Sequence, residues 1–218
     1  MNFETVWLED ARRYYTNIVG KYGAQVQSLL KKAAGLEIAY VCPLHGPVWR
    51  KAEGIGWFVE KYQRWSTYTP EDRAAAIFVG SIYGNTVNAA EILAARLADK
   101  GVKGIALYDV SYTHVSTLVA EAFRCSHLVF ASATYNAEIY TPMDNFLRDL
   151  KSHGLRNRTA ALIENGSWAA VSGKQMTELL GGMKDMKLLE NTVSLKSTVK
   201  DRSGLDALAD ALAADILA

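Results

Sequence analysis

Ser81, Ile82, Tyr83, Gly84, Asn85 and Thr86 place three hydroxyls, one amide and one unhindered backbone position in a single short stretch. The stretch lies between an unbroken apolar run, Ala74 to Val79, and a segment whose Ala90, Leu93, Ala94 and Leu97 recur at helical spacing. A buried strand that passes through a polar turn into a helix makes an anion site. The first N–H groups of a helix have no internal acceptor and carry its positive dipole end. The turn has no Lys or Arg, so a phosphate there is held by neutral donors and the helix end.

Two further polar loops each carry an aromatic ring. Residues 132–140 set Tyr135 beside Thr134, Asn136 and Ala137, and residues 165–173 set Trp168 beside Asn165, Gly166 and Ser167. A flat heteroaromatic ligand suits such a pair, with rings covering its faces and backbone groups reading its rim. Either ring taken alone serves equally well as a cap on the end of a sheet. Gly-x-x-x-x-Gly-Lys-[Ser/Thr], Gly-x-Gly-x-x-Gly and Gly-x-Ser-x-Gly are all missing, and no nucleophile and base can be placed together on the three loops. The chemistry therefore falls to a bound cofactor.

His45 follows a short apolar run and sits in a turn bounded by Pro43, Gly46 and Pro47, a setting that can present an imidazole to a metal or hydrogen-bond it structurally. The other histidines, His114, His127 and His153, show no metal-ligand spacing, so no complete metal site is encoded. Cys42 and Cys125 lie in or beside apolar runs and are expected as two reduced, buried thiols.

The elements that must position these loops alternate regularly after residue 73. Strands are expected at Ala74–Val79, Ile105–Asp109, Leu128–Ala131, Thr159–Asn165 and near Leu188–Leu195, each followed by a helix. Thr141 before Pro142 reads as a helix cap, with Met143, Phe146, Leu147 and Leu150 on one face. Strands and helices in alternation require an α/β fold, a five-stranded doubly wound parallel sheet with ligands beyond the carboxyl ends of its strands. Residues 1–72 read differently. A long amphipathic helix, with a point of relaxation at Gly23, runs from Tyr15 to Ala33, a lone strand covers Glu37–Cys42, a second helix covers Ala52–Trp65, and a linker covers Ser66–Asp72. This helix-strand-helix appendage cannot close a core alone, so it is expected to pack on the sheet or to mediate a homodimer.

Half of the 218 residues are hydrophobic and the formal net charge is +1, with 9 basic and 8 acidic residues in 1–72 and 15 of each in 73–218. Neither part carries the basic footprint of a nucleic-acid binder. No apolar stretch reaches about 18 residues, the length of a membrane span, and Met1 to Asp10 lacks the features of a signal peptide. A cytoplasmic protein is expected.

At these residues the chain resembles the flavodoxin-like family, whose phosphate loop runs [Ser/Thr]-x-[Ser/Thr/Tyr]-Gly-Asn-Thr. It is similar, more narrowly, to the C-terminal part of flavodiiron proteins, which join a metallo-β-lactamase-like di-iron domain to a flavodoxin domain and reduce dioxygen or nitric oxide. Ser81–Thr86 matches the phosphate loop, Thr134-Tyr135-Asn136 the first isoalloxazine loop and Gly166-Ser167-Trp168 the second. Ala133 stands where the family commonly has Pro. Residues 1–72 resemble the tail of the lactamase-like domain, with His45 as an orphan ligand of an incomplete metal site.

The resemblance implies an FMN-binding electron-transfer module, with di-iron only in an intact relative. Its implied partners are a rubredoxin-like protein or nicotinamide-linked reductase as donor and a separate di-iron domain. The chain is expected to be a fragment or truncated product. Carboxylates such as Glu138 and Glu164 are expected near the ring, where they would tune its potential. The alternatives are a non-redox binding or assembly module using the same phosphate site, and a flavin-dependent quinone or nitro reductase.

Overall fold

The computed structural model describes residues 6–50 and 52–218; the opening residues of the chain and Lys51 lie outside this range, as does part of the leader reading made on Met1 to Asp10. Strands β3 (Asp72–Gly80), β4 (Ala106–Asp109), β5 (Cys125–Tyr135), β7 (Arg158–Asn165), β8 (Met186–Leu188) and β9 (Val193–Leu195) form the main sheet. Its order is β4-β3-β5-β7-β8, all parallel, with β9 also on β7. The expected last strand is therefore two short pieces on one edge. Glu190, Asn191 and Thr192 interrupt it and stay exposed, which breaks up an edge that would otherwise offer an unpaired ladder.

Helices cover both faces, as parallel crossovers demand. Phe78, Leu128, Phe130 and Leu162 point to one side, against α5 (Val115–Arg124), α6 (Thr141–Ser152) and α7 (Ser172–Gly181). Ile77, Val79, Val129 and Ile163 point to the other, against α4 (Asn85–Asp99) and α8 (Ser203–Leu217). Each such aliphatic or aromatic side chain, fully buried, stabilises the fold by roughly 1.5–3 kcal/mol relative to exposure. Met143, Phe146, Leu147 and Leu150 are all buried on α6, but the cap position falls on Tyr140, and Thr141 is the first helical residue.

The long helix expected before β3 is divided in two just ahead of Gly23, the expected point of relaxation. Helix α1 (Leu8–Ile18) and helix α2 (Gly23–Ala33) are separated by a 3₁₀ turn at Gly20–Tyr22. A Cβ on Gly23 would lie 2.3 Å from the Ser66 carbonyl oxygen, so only glycine lets α2 reach α3 (Ala52–Ser66) this closely. The expected lone strand shrinks to β1 (Tyr40–Val41) and gains an antiparallel partner, β2 (Trp49–Arg50). Trp49 is buried and stacks on Phe58 with ring centroids 4.5 Å apart. Cys42 is exposed, contrary to expectation, because so short a ribbon covers little of its own surface; Cys125 is buried as expected, and burial pushes its thiol up to about 12.

Tyr15, Val26 and Trp65 give this segment a small core of its own. Among the described residues its main contact with the rest of the chain is between α1 and α5. Arg13 Nε donates to Ser116 Oγ at 2.6 Å, Asn17 Nδ2 donates to the Ser116 carbonyl at 3.0 Å, and Arg12 pairs with Glu71. The expected linker is held too. Tyr68 is buried with its hydroxyl on the Gly20 carbonyl at 2.8 Å, and its own carbonyl accepts from Arg158 at 2.7 Å.

Candidate functional site

Four loops leave the carboxyl ends of β3, β5, β7 and β9 and enclose a cleft of about 600 Å³, within the range of cofactor sites. It stands where the chain passes from the β4 side of β3 to the β5 side, the switch point of the sheet.

In the first loop, Ser81 Oγ accepts from the Gly84 amide at 3.1 Å, and Gly84 turns the chain into α4 with φ +85°. No side chain caps α4, so its leading N–H groups remain available to an anion. Thr86 is buried and Asn85 half-buried, both lining the cleft, and neither side chain has a hydrogen-bond partner among the described residues. Unspent donors on a helix end, inside a cleft, fit a phosphate.

The second loop is a hairpin that sequence periodicity did not reveal. Thr134 and Tyr135 pair with Ile139 and Glu138 of β6 (Glu138–Ile139) across Asn136 and Ala137, both at positive φ (+51° and +60°), as a two-residue type I′ turn requires. Gln175 on α7 holds this hairpin, accepting from Ile139 N at 3.1 Å and donating to the Ala137 carbonyl at 3.0 Å. The Thr134 hydroxyl is engaged by the Val171 amide at 3.2 Å, so its role is to join two loops.

In the third loop the Ala169 carbonyl folds back over Gly166, where a Cβ would meet its oxygen at 2.1 Å. Trp168 is thrown outward and is 98% exposed, while Tyr135 is 47% exposed. The fourth loop brings Ser197, at φ +66°, to the wall.

The cleft gathers Ser81, Ile82, Tyr83, Asn85 and Thr86 with Thr134 to Ala137 and Asn165 to Trp168; Gly84 serves beneath them as the hinge. Ala133, Ala169, Val171 and Ser197 complete the lining. Of these, Ser197 was the least readable, because it belongs to the site only once β9 is paired beside β7. Among the described residues no charged side chain lines the cleft. Glu138 is exposed on β6, and Glu164 is tied to the Gly173 amide at 2.8 Å, so neither carboxylate faces the cleft as expected.

His45 is exposed at a second cleft of about 440 Å³, its ring 5.4 Å from that of Tyr14. Among the described residues no group of three or more His, Cys, Asp or Glu could hold a metal ion. No helix among them is long and apolar enough to cross a membrane.

The sheet order and the cleft at its switch point define a flavodoxin-like α/β protein, and an archaeal flavodoxin matches the fold with a TM-score of 0.56 over 66% of this chain and 99% of its own, at 18% identity. No protein-family model matches the chain. Rubredoxin-oxygen oxidoreductase of Megalodesulfovibrio gigas is 27% identical over 205 residues, 93% of this chain and 50% of that protein. A solved rubredoxin oxygen:oxidoreductase from Desulfovibrio gigas superposes with a TM-score of 0.86 at 25% identity, over 96% of this chain and 52% of the other. An anaerobic nitric oxide reductase flavorubredoxin of Aeromonas hydrophila is 27% identical over 169 residues, 76% of this chain and 33% of its own. The homologues of this chain are thus flavodiiron proteins, and it matches their C-terminal, flavodoxin-like region. It spans about a third to a half of the length of the curated relatives it matches.

Proposed function

We propose that residues 1–218 form an FMN-binding electron-transfer module of a flavodiiron-type oxygen or nitric oxide reductase. The observation that carries this is the uncapped start of α4, with the unspent Asn85 amide and Thr86 hydroxyl, facing Tyr135 and Trp168 around one uncharged cleft. The homologues named above support it independently.

In this reading Ser81–Thr86 hold the phosphate through backbone N–H groups, the Asn85 amide and the Thr86 hydroxyl. Hydrogen bonds to a charged group contribute roughly 1.5–3 kcal/mol each. Tyr135 and Trp168 cover the ring, and the backbone of the Asn136-Ala137 turn and of Gly166-Ser167 meets its polar rim. Bound FMN would supply the one- and two-electron chemistry; the chain orients it and limits water to one side. A wall without carboxylates leaves the reduced, more negative flavin unopposed by fixed charge.

Electrons would arrive from a rubredoxin-like protein or nicotinamide-linked reductase and leave to a di-iron domain, with the chain acting in the cytoplasm as a homodimer. Residues 1–72 are read as the C-terminal part of a metallo-β-lactamase-like domain and His45 as one ligand of its metal site. Support comes from the similarity to the Megalodesulfovibrio gigas protein, which extends over 93% of the chain.

The test is uptake and reduction of FMN by the purified protein. One equivalent should bind, turn the protein yellow and be reversibly reduced by dithionite. The second reading, a non-redox binding or assembly module, is favoured by the aromatic cleft at Trp7, Tyr14 and Trp49; it predicts no reversible reduction.

A further inference from the structure

We propose that Asn165 is a positioning residue that acts through Ser197, latching the fourth loop of the cleft to the third and so fixing the stretch that carries Trp168. Both polar atoms of its side-chain amide are engaged within the protein. Oδ1 accepts from the Ser197 amide at 2.9 Å, and Nδ2 donates to the Ser197 carbonyl at 2.8 Å. This two-point pairing imitates a peptide group and prolongs the β7–β9 ladder one step beyond its last backbone pair, Asn165 with Leu195.

Two neighbouring bonds make the latch a unit. Gly166 N donates to the Leu195 carbonyl at 3.1 Å, and the hydroxyls of Ser167 and Ser197 lie 3.0 Å apart. Gly166 is also where the Ala169 carbonyl folds back, so the latch grips the base of the turn from which Trp168 projects. Ser197 is held at φ +66°, a conformation that costs a non-glycine residue and persists only where surroundings impose it. Asn165 is 5% exposed, so a lost partner there is not replaced by water.

The inference rests on the flavin reading of the cleft, and the test separates the two. Asn165→Ala removes both bonds. Asn165→Asp keeps the shape and the acceptor, but its ionised carboxylate faces the Ser197 carbonyl without a proton. A carboxyl so buried is protonated more readily than in water, and protonation restores the donor. Of the adjoining charged residues, Glu164 alternates to the opposite face of β7, where Gly173 holds it, and Lys196 is exposed just beyond the end of β9.

Riboflavin is the probe, because it lacks the phosphate and its titration near pH 6. Its dissociation constant is measured at pH 5 and pH 8, each against wild type. Asn165→Ala should bind about tenfold more weakly at both, the loss of two modest hydrogen bonds. Asn165→Asp should match that loss at pH 8 and return to within about threefold of wild type at pH 5. In the flavin-free protein, amides of residues 166–169 and 196–199 should exchange faster in Asn165→Asp at pH 8, after correction for intrinsic rates, and regain protection at pH 5.

Wild-type affinity or unchanged loop protection in Asn165→Asp at pH 8 overturns the latch, as does a loss that persists at pH 5. Wild-type protein that takes up neither FMN nor riboflavin overturns the flavin reading instead.

Discussion

The carboxylate of Glu164 accepts a hydrogen bond from the backbone N–H of Gly173, at 2.8 Å, in the first turn of α7. A Cβ on Gly173 would come 2.8 Å from the same oxygen, so glycine lets the carboxylate sit this close without moving aside. The carboxylate satisfies one orphan donor and places negative charge at the positive end of the helix. Glu164→Gln should therefore lower stability by about 1 kcal/mol, read as a shift in urea midpoint. It should leave the potential of bound flavin unchanged, and a change in potential without loss of stability would contradict this assignment.

Ala137 occupies a left-handed position, φ +60°, that costs an alanine about 1–2 kcal/mol. Ala137→Gly removes this strain but adds freedom to the unfolded chain, worth about 0.5–1 kcal/mol in the other direction. The melting temperature should rise by about 2 °C for a protein of this size. A fall would show that the methyl group packs usefully in the hairpin.

His127 is buried, with Nδ1 2.8 Å from the Ser126 hydroxyl and Nε2 3.6 Å from Asp215, too far for a hydrogen bond. Burial pulls its pKa below the usual value, opposed by Asp215 and assisted by Arg73 and Lys187. The unfolded state therefore binds a proton more readily, near pH 6.5, than the folded state does. Stability is full above about pH 7 and falls as pH drops through 6.5, whereas the lowered pKa values of Glu121 and Asp215 act below about pH 4.5. Between pH 7 and 5 the urea midpoint should decline in wild type and flatten in His127→Gln.

Arg12 and Glu71 are 4% and 5% exposed, and Glu71 also accepts from Trp65 Nε1 at 2.7 Å. Removing one partner leaves a buried charge, a loss of roughly 3–5 kcal/mol. Since the pair joins α1 to the start of β3, Arg12→Leu should free residues 6–66 for limited proteolysis while residues 72–218 stay resistant. Uniform loss of both parts would show that they unfold as one unit.

Much of this architecture was legible because local periodicity reports burial within one element. The short unbroken run at Ala74–Val79, ending at Gly80, and the spacing of Met143, Phe146, Leu147 and Leu150 fit a buried strand and a covered helix face, and form them. The turn Ser81–Thr86 was legible for a related reason, since its residue types suit a helix start and little else. What escaped depends on distant pairing. Two-residue strands such as β1 and β2 carry no period, and Leu188 to Leu195 reads as continuous until Glu190 and Asn191 are seen to leave the edge. Glu164 looked available because nothing near it in sequence showed that Gly173 would return to meet it.

The central claim is that α4 begins at a phosphate, and paired titrations of Asn85→Ala with FMN and with riboflavin test it most directly. Loss of one charge-assisted hydrogen bond should weaken FMN binding by about tenfold to a hundredfold and leave riboflavin within about twofold of wild type. Equal losses for the two ligands, or none for either, would contradict it.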